Sequence, residues 1–232
     1  MATEVTIARR FNGPPASANG GYTCGLVASL VEGDAEVTLR SPPPLQTPLT
    51  VTRDDGKVLV HDGDTLVAEA VATTVDHEVP DAPSWERAEE AATRDAGLEH
   101  HEFPTCFTCG HERAAGDGLR ILAGPVGDGP MVASTWIPGS SLPAEDGIVA
   151  PEIAWAALDC PGAWTTARIV EGGAVVLGRM AARLDEPVTV GDHLIAYAWP
   201  LGSEGRKFFA ATALVRRVGG LVGTARQTWI AV

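Results

Sequence analysis

A repeated order of elements constrains this chain more than any other feature. In residues 1–76 an opening strand, Glu4 to Ala8, runs into a turn rich in proline and glycine. A helix is expected from Gly20 to Glu32, stopping at Gly33, where glycine suits a helix end. Strand-like segments follow at Ala35–Leu39, Leu49–Thr52, Val58–Val60 and Thr65–Val71. The turn pairs Asp55-Gly56 and Asp62-Gly63 separate them, as an antiparallel meander requires. Residues 105–232 repeat the order. Gly118–Leu122 and Met131–Trp136 read as strands, and a helix begins at Pro151, a tolerated first helical residue, and ends before Gly172-Gly173. Strands are then expected at Ala174–Leu184, His193–Trp199, Lys207–Val218 and Leu221–Val232. The pattern describes a duplicated α+β unit, repeated in element order with little residue identity.

Residues 77–104 join the halves. Ser84 is a natural N-cap ahead of Trp85-Glu86-Arg87-Ala88-Glu89-Glu90-Ala91-Ala92, and Gly97 a natural stop. An acidic linker helix is expected here, facing solvent or clamping one half on the other.

Composition excludes several roles. Of the 232 residues 45% are hydrophobic and 20% charged, which suits a packed core. The net charge of −13 repels phosphate backbones and anionic lipid, so neither nucleic acid nor a membrane surface is an expected partner. No secretion signal opens the chain and no apolar run reaches membrane-spanning length, so a cytoplasmic location is expected. Four cysteines in this length are no disulfide scaffold, and they are read as reduced. Lys57 and Lys207 stand against 15 arginines, a skew that fits codon usage or a need for the planar guanidinium fork.

The two helices differ in chemistry. In the second, Ile153, Ala157, Cys160, Trp164 and Ala167 share one side. Asp159 lies off that stripe, with Glu152, Trp155 and Thr166. Aspartate is a poor mid-helix residue, and Pro161 two positions on strains the helix, which marks either a site or an exposed turn. The first helix opens on Ser17-Ala18-Asn19-Gly20-Gly21-Tyr22. Its bare N-terminal amides could polarise an oxyanion or a thioester carbonyl, or its glycines could only permit a tight loop.

The pair Cys106-x-x-Cys109, with His111, His100 and His101 nearby, is the weak metal candidate. A single thiol pair falls short of the double-pair zinc pattern, and a tight turn ahead of a strand is the plainer reading. His-Glu occurs at His77, His101 and His111, but no second histidine follows four positions on, as a zinc-protease helix needs. No Gly-x-Ser-x-Gly elbow and no phosphate-cradling lysine loop are present. Gly124, Gly127 and Gly129 are read as a hairpin.

These segments resemble the hotdog-fold thioesterases, whose unit is a central helix wrapped by a curved antiparallel sheet. Many members carry His-Gly-Gly at the helix entrance and an acidic residue nine positions after the His. The first half, Asn19-Gly20-Gly21 through Ala28, keeps the glycines and has lost the His and the acid. The second, Ala150-Pro151-Glu152 through Asp159, keeps the acid and has lost the glycines. Cys106-Phe107-Thr108-Cys109-Gly110, followed by Gly118-Leu119-Arg120, also resembles the opening of many such domains. Neither helix contains a histidine, which argues against the hydratase branch.

The resemblance implies a double hotdog of two tandem units with a single composite site. Asn19, Gly20 and Gly21 would face Asp159 across the paired units, and the reciprocal site would have neither part. It further implies hydrolysis of an acyl-CoA thioester, with Asp159 as general base or nucleophile. Trp155, Trp164 and Tyr22 would line the acyl pocket. Arg206, Lys207, Arg216 and Arg217 would meet the CoA phosphates, unless they are only strand-end charges. CoA enters as part of the substrate, no resident cofactor is expected, and double hotdogs could pair as a homodimer. A silent acyl- or CoA-binding protein and a structural assembly module are the alternatives.

Overall fold

In the computed structural model the described residues are 3–95, 98, 101–167 and 173–232. Gly97, His100 and Gly172, singled out above, lie outside them.

The first half begins with β1 (Thr3–Val5) and a short 3-10 turn at Arg9–Phe11. Helix α1 spans Gly20–Ala28. Strands β2 (Ala35–Leu39), β3 (Leu49–Asp54), β4 (Lys57–Asp62) and β5 (Thr65–Ala72) complete it. Helix α2 (Trp85–Ala92) lies in the junction. The second half holds β6 (Gly124–Pro125), β7 (Val132–Trp136) and a small hairpin of β8 (Ala144–Glu145) with β9 (Ile148–Val149). Helix α3 (Pro151–Ala167) follows, then β10 (Val175–Leu184), β11 (Leu194–Glu204), β12 (Lys207–Arg216) and β13 (Leu221–Ala231).

Eleven strands form one antiparallel sheet in the order β1-β3-β4-β5-β2-β10-β13-β12-β11-β7-β6. The seam between halves is β2 against β10, with Ala35 opposite Ala182 and Thr38 opposite Arg179. Read outward from that seam, the two sides match. Each has the first strand after its helix, then the fourth, third and second, then the strand before the helix. The order seen in the sequence is therefore a repeat of topology.

Both helices pack inside this sheet and against each other. Helix α1 is buried nearly all round, with Tyr22, Cys24, Val27 and Ala28 all in the core. It ends at Ala28, short of the expected Glu32. The Leu30 and Val31 amides bond to the Val27 and Ala28 carbonyls, three residues back, which tightens the last turn and closes the helix. Gly118–Leu122 is not a strand. Leu119 and Ile121 donate to the carbonyls of Phe107 (2.8 Å) and Thr108 (2.9 Å), but Arg120 between them sits at φ 54° and breaks the extended run.

The linker helix packs on the second half. Ser84 caps it, accepting from the Arg87 amide at 3.3 Å. Its buried side, Trp85, Ala88 and Ala91, packs on Val126, Ala133, Ile195 and Tyr197 of the second half. Among the described residues no helix is long and apolar enough to cross a membrane.

Candidate functional site

The two helices meet where their sequences are complementary in bulk. A Cβ on Gly21 would lie 2.3 Å from the Asp159 Cβ and 2.8 Å from the Trp155 carbonyl oxygen. One on Gly25 would lie 2.6 Å from the Glu152 Cα and 2.7 Å from the Trp155 Cβ. Glycine at i and i+4 thus lets α1 lie directly on α3. The side of α3 bearing Glu152, Trp155 and Asp159 is the side that faces α1.

Asp159 is 2% exposed. Its Oδ2 accepts from the Gly21 amide at 2.8 Å and from Asn19 Nδ2 at 3.1 Å. Asn19 caps α1 with its other side-chain atom, Oδ1 accepting from the Tyr22 amide at 2.8 Å. One asparagine therefore both starts the helix and holds the carboxylate. Asp159 Oδ1 is buried and has no partner among the described residues. Burial pushes the Asp159 carboxyl up to about 7, against the opposing pull of the Gly21 amide.

Pro161 and Gln227 both act on the turn of α3 that carries Asp159. Proline supplies no amide to the turn behind it, which leaves the Ala157 carbonyl without its usual helical donor. Gln227 of β13 reaches the next two residues, Nε2 donating to the carbonyls of Leu158 (2.7 Å) and Asp159 (3.0 Å). Gly162 makes the room, since a Cβ there would fall 1.7 Å from Gln227 Oε1. Trp229 Nε1 holds that oxygen at 3.0 Å. From the other side Thr108 Oγ1 donates to the Ala156 carbonyl at 3.0 Å.

Asp159 opens onto a cavity of about 730 Å³ between the halves. Asn19, Gly20 and Asp159 lie at its base, and Phe103, Trp164, Leu177 and Ile230 give apolar wall. The size suits a small-molecule ligand. Trp164 is the one predicted pocket residue found in the lining. Tyr22 instead stacks on Phe11 (centroids 4.0 Å apart), and burial together with Glu152 raises its phenol. Trp155 is buried against Gly25.

The predicted phosphate contacts divide. Lys207 is in register with Ile230, a cavity residue, and Arg206 Nη1 reaches the Ala231 carbonyl at 3.4 Å. Arg216 lies about 30 Å further along β12, at the usual strand rise. It pairs with Glu186 and, at 3.3 Å, with Asp192. Arg217 pairs with Glu86 at 3.3 Å and covers the Trp85 ring. Arg217 thus ties the end of β12 to α2, and Arg216 ties it to the turn between β10 and β11. Arg40, unremarked in the sequence, lines the cavity and pairs with Glu69.

Beside Asp159 the thiols of Cys106, Cys109 and Cys160 lie within 4.8 Å of one another. Cys106 Sγ is 3.7 Å from Cys160 Sγ. His101 Nε2 is 3.2 Å from Cys109 Sγ, while His101 Nδ1 accepts from the Phe103 amide at 3.0 Å. His111 is 6.0 Å from His101, ring to ring, and its buried Nδ1 has no partner among the described residues. Cys160, Gln227 and Trp229 are the site residues that sequence reasoning missed. Cys160 was visible as part of an apolar stripe, but nothing linear ties it to Cys106.

No family model matches the sequence, and no curated protein does. Solved structures do. A TesB protein of Mycobacterium avium subsp. paratuberculosis is 17% identical, with a TM-score of 0.62 over 100% of this chain and 93% of that one. A putative thioesterase II of Thermobifida fusca is 12% identical, with a TM-score of 0.63 over 98% and 92%. The acyl-CoA thioesterase II TesB2 of Mycobacterium marinum is 14% identical, with a TM-score of 0.60 over 99% and 92%. A protein of Alicyclobacillus acidocaldarius described as having a hot dog fold is 9% identical, with a TM-score of 0.53 over 100% and 96%, so the described residues take the hotdog fold to which the sequence resemblance pointed.

Proposed function

We propose that the chain is a double hotdog of two tandem units and hydrolyses an acyl-CoA thioester at a single composite site between them. The observation that carries this is the meeting of Asp159 from one half with Asn19 and Gly21 from the other, at the base of a ligand-sized cavity. Asp159 Oδ1 is free of partners among the described residues, and in this reading it does the chemistry. It takes a proton from water as general base, or attacks the acyl carbon as nucleophile. When the carboxylate turns to that task, the Gly21 N–H is released to polarise the carbonyl. The acyl group lies along Trp164, Phe103 and Leu177, and the CoA phosphates meet Arg40, Arg206 and Lys207 at the rim. CoA is part of the substrate, and no resident cofactor takes part.

A second reading, a silent acyl- or CoA-binding protein, is favoured by one contact. The Gly21 amide is already engaged by Asp159 at 2.8 Å, and Asn19 stands where the resemblance to hotdog thioesterases leads one to expect a histidine. Thiol release from short, long and aromatic acyl-CoAs separates the two. Hydrolysis lost in Asp159→Asn supports the enzyme. No hydrolysis, with a melting temperature raised by CoA, supports the binder.

A further inference from the structure

The three-cysteine cluster is more than the composite site requires. Cys106 and Cys109 come from the loop ahead of Leu119, Cys160 from mid-α3, and all three are buried and line the cavity. A tetrahedral metal with sulfur at about 2.3 Å spaces its sulfurs about 3.8 Å apart. The Cys106–Cys160 separation is 3.7 Å, and the whole cluster fits within 4.8 Å.

The cluster also has polar neighbours that suit thiolates. Gly110 closes the turn where a Cβ would fall 2.5 Å from the Cys106 carbonyl oxygen. Asn19 Nδ2 lies 3.7 Å from Cys106 Sγ and 3.9 Å from Cys160 Sγ. N–H donors converging on a group of sulfurs fit anionic thiolates better than thiols.

His101 has a definite part. The Phe103 amide donates to its Nδ1, which leaves the proton on Nε2, and that N–H points at Cys109 Sγ. In this tautomer His101 steadies a ligand and is not one itself.

We propose that Cys106, Cys109 and Cys160 form a binding site for a thiophilic divalent cation of the zinc type, with its fourth position open to the cavity. On binding, thiols that carry protons release them to solvent, three sulfur–metal bonds form, and water or a small exogenous ligand fills the fourth position. Three sulfurs rather than oxygens select a soft or borderline ion over magnesium or calcium. The ion would fasten the Cys106–Gly110 loop to α3 one residue from Asp159. The proposal is independent of thioester hydrolysis, and a silent binder could hold the same ion.

The test is metal analysis and cobalt substitution in the full chain, purified under reducing conditions. The expected result is one zinc per chain. After chelation, one equivalent of Co(II) should give thiolate charge-transfer bands and the strong ligand-field bands of four-coordination. Imidazole or a small thiol should shift those bands by entering the open position. Cys109→Ser and Cys160→Ser should each weaken Co(II) binding at least about tenfold, while Cys24→Ser, which removes the cysteine outside the cluster, should not. The parent protein's cobalt spectrum needs no variant to fold. No zinc with a weak octahedral cobalt spectrum, a Cys106–Cys160 disulfide in freshly prepared protein, or equal loss in Cys24→Ser would overturn the site. A four-coordinate spectrum that ignores exogenous ligand would overturn the open position.

Discussion

The two helix entrances occupy equivalent places in a repeated topology, yet they are built from opposite materials. At the start of α1, Asn19 caps the helix and Gly21 turns an amide toward Asp159. At the start of α3, Pro151 has no amide to offer, and the Ile153 amide is spent locally on the Ala150 carbonyl at 2.9 Å. The position reciprocal to Asp159 is Ala28, buried and apolar. One helix is thin enough for close approach, and the other carries the bulk and the acid. On the proposed reading, a repeated topology in this way keeps one composite site and lets the other become packing.

The largest expected effect tests that asymmetry directly. Asp159→Asn should lower thioester hydrolysis by at least about a hundredfold, the usual contribution of a positioned proton acceptor. Glu152→Gln, at the opposite entrance, should leave the rate unchanged. Steady-state thiol release on both variants decides it. If they lose activity alike, the entrances are equivalent and the comparison fails.

Gly21→Ala and Gly25→Ala sharpen the steric half of the argument. Both added methyls meet backbone or Cβ atoms of α3 at under 3 Å, so the helices must part. Overpacking of this kind costs about 1–3 kcal/mol. Urea midpoints should fall for both. Only Gly21→Ala displaces Asp159, so hydrolysis per folded molecule should fall further for it than for Gly25→Ala. Equal activities would mean that close approach at Gly21 serves packing alone.

How much of this the sequence disclosed depends on range. Apart from Gly118–Leu122, the order of the main strands, the helix start at Pro151 and the Ser84 cap rest on local pattern and local hydrogen bonds, and they hold. The first helix reads too long because tight bonds at Leu30 and Val31 close it before Gly33 does. The pairing of Asp159 with Asn19 and Gly21 came from family resemblance, 140 residues apart for the Asn19 contact, where local chemistry has no reach. Trp155 was misplaced because its turn of α3 faces α1 and not the cavity. The third thiol and the glutamine that reaches the Leu158 and Asp159 carbonyls depend on loops and strands that meet only after folding.

Gln227→Leu should give a smaller change. It removes the side-chain amide that donates to the Leu158 and Asp159 carbonyls and the oxygen that accepts from Trp229 Nε1, and a buried polar group left unpaired costs about 1–3 kcal/mol. Since Gln227 holds the backbone under Asp159 and does not touch the carboxylate, it acts as a positioning residue. The loss of hydrolysis should exceed that expected from unfolding alone, and Gln227→Glu should not restore it. Denaturation curves read beside single-turnover rates separate the two contributions.

The smallest effect concerns the junction, where the seam meets solvent and not the cavity. Thr224 Oγ1 donates to the Thr212 carbonyl at 2.8 Å, so His77 Nε2, 3.0 Å away, must supply the N–H between them. The other ring nitrogen is buried without a partner among the described residues. Protonating it would place an N–H where nothing accepts, and burial, Arg226 and Arg183 together lower the His77 pKa below 6.5. A histidine lowered in the folded chain binds fewer protons there than when unfolded, so stability rises with pH across the gap between the two values. The contribution of neutral His77 is therefore complete above pH 6.5 and is lost as pH falls toward the folded value. The ring is half-buried and screened by water, so the change should stay under about 1 kcal/mol. Urea melts on either side of pH 6.5 should show it in the parent protein and not in His77→Gln. Hydrolysis per folded molecule should be the same in both, because neither His77 nor Thr224 lines the cavity beside Asp159.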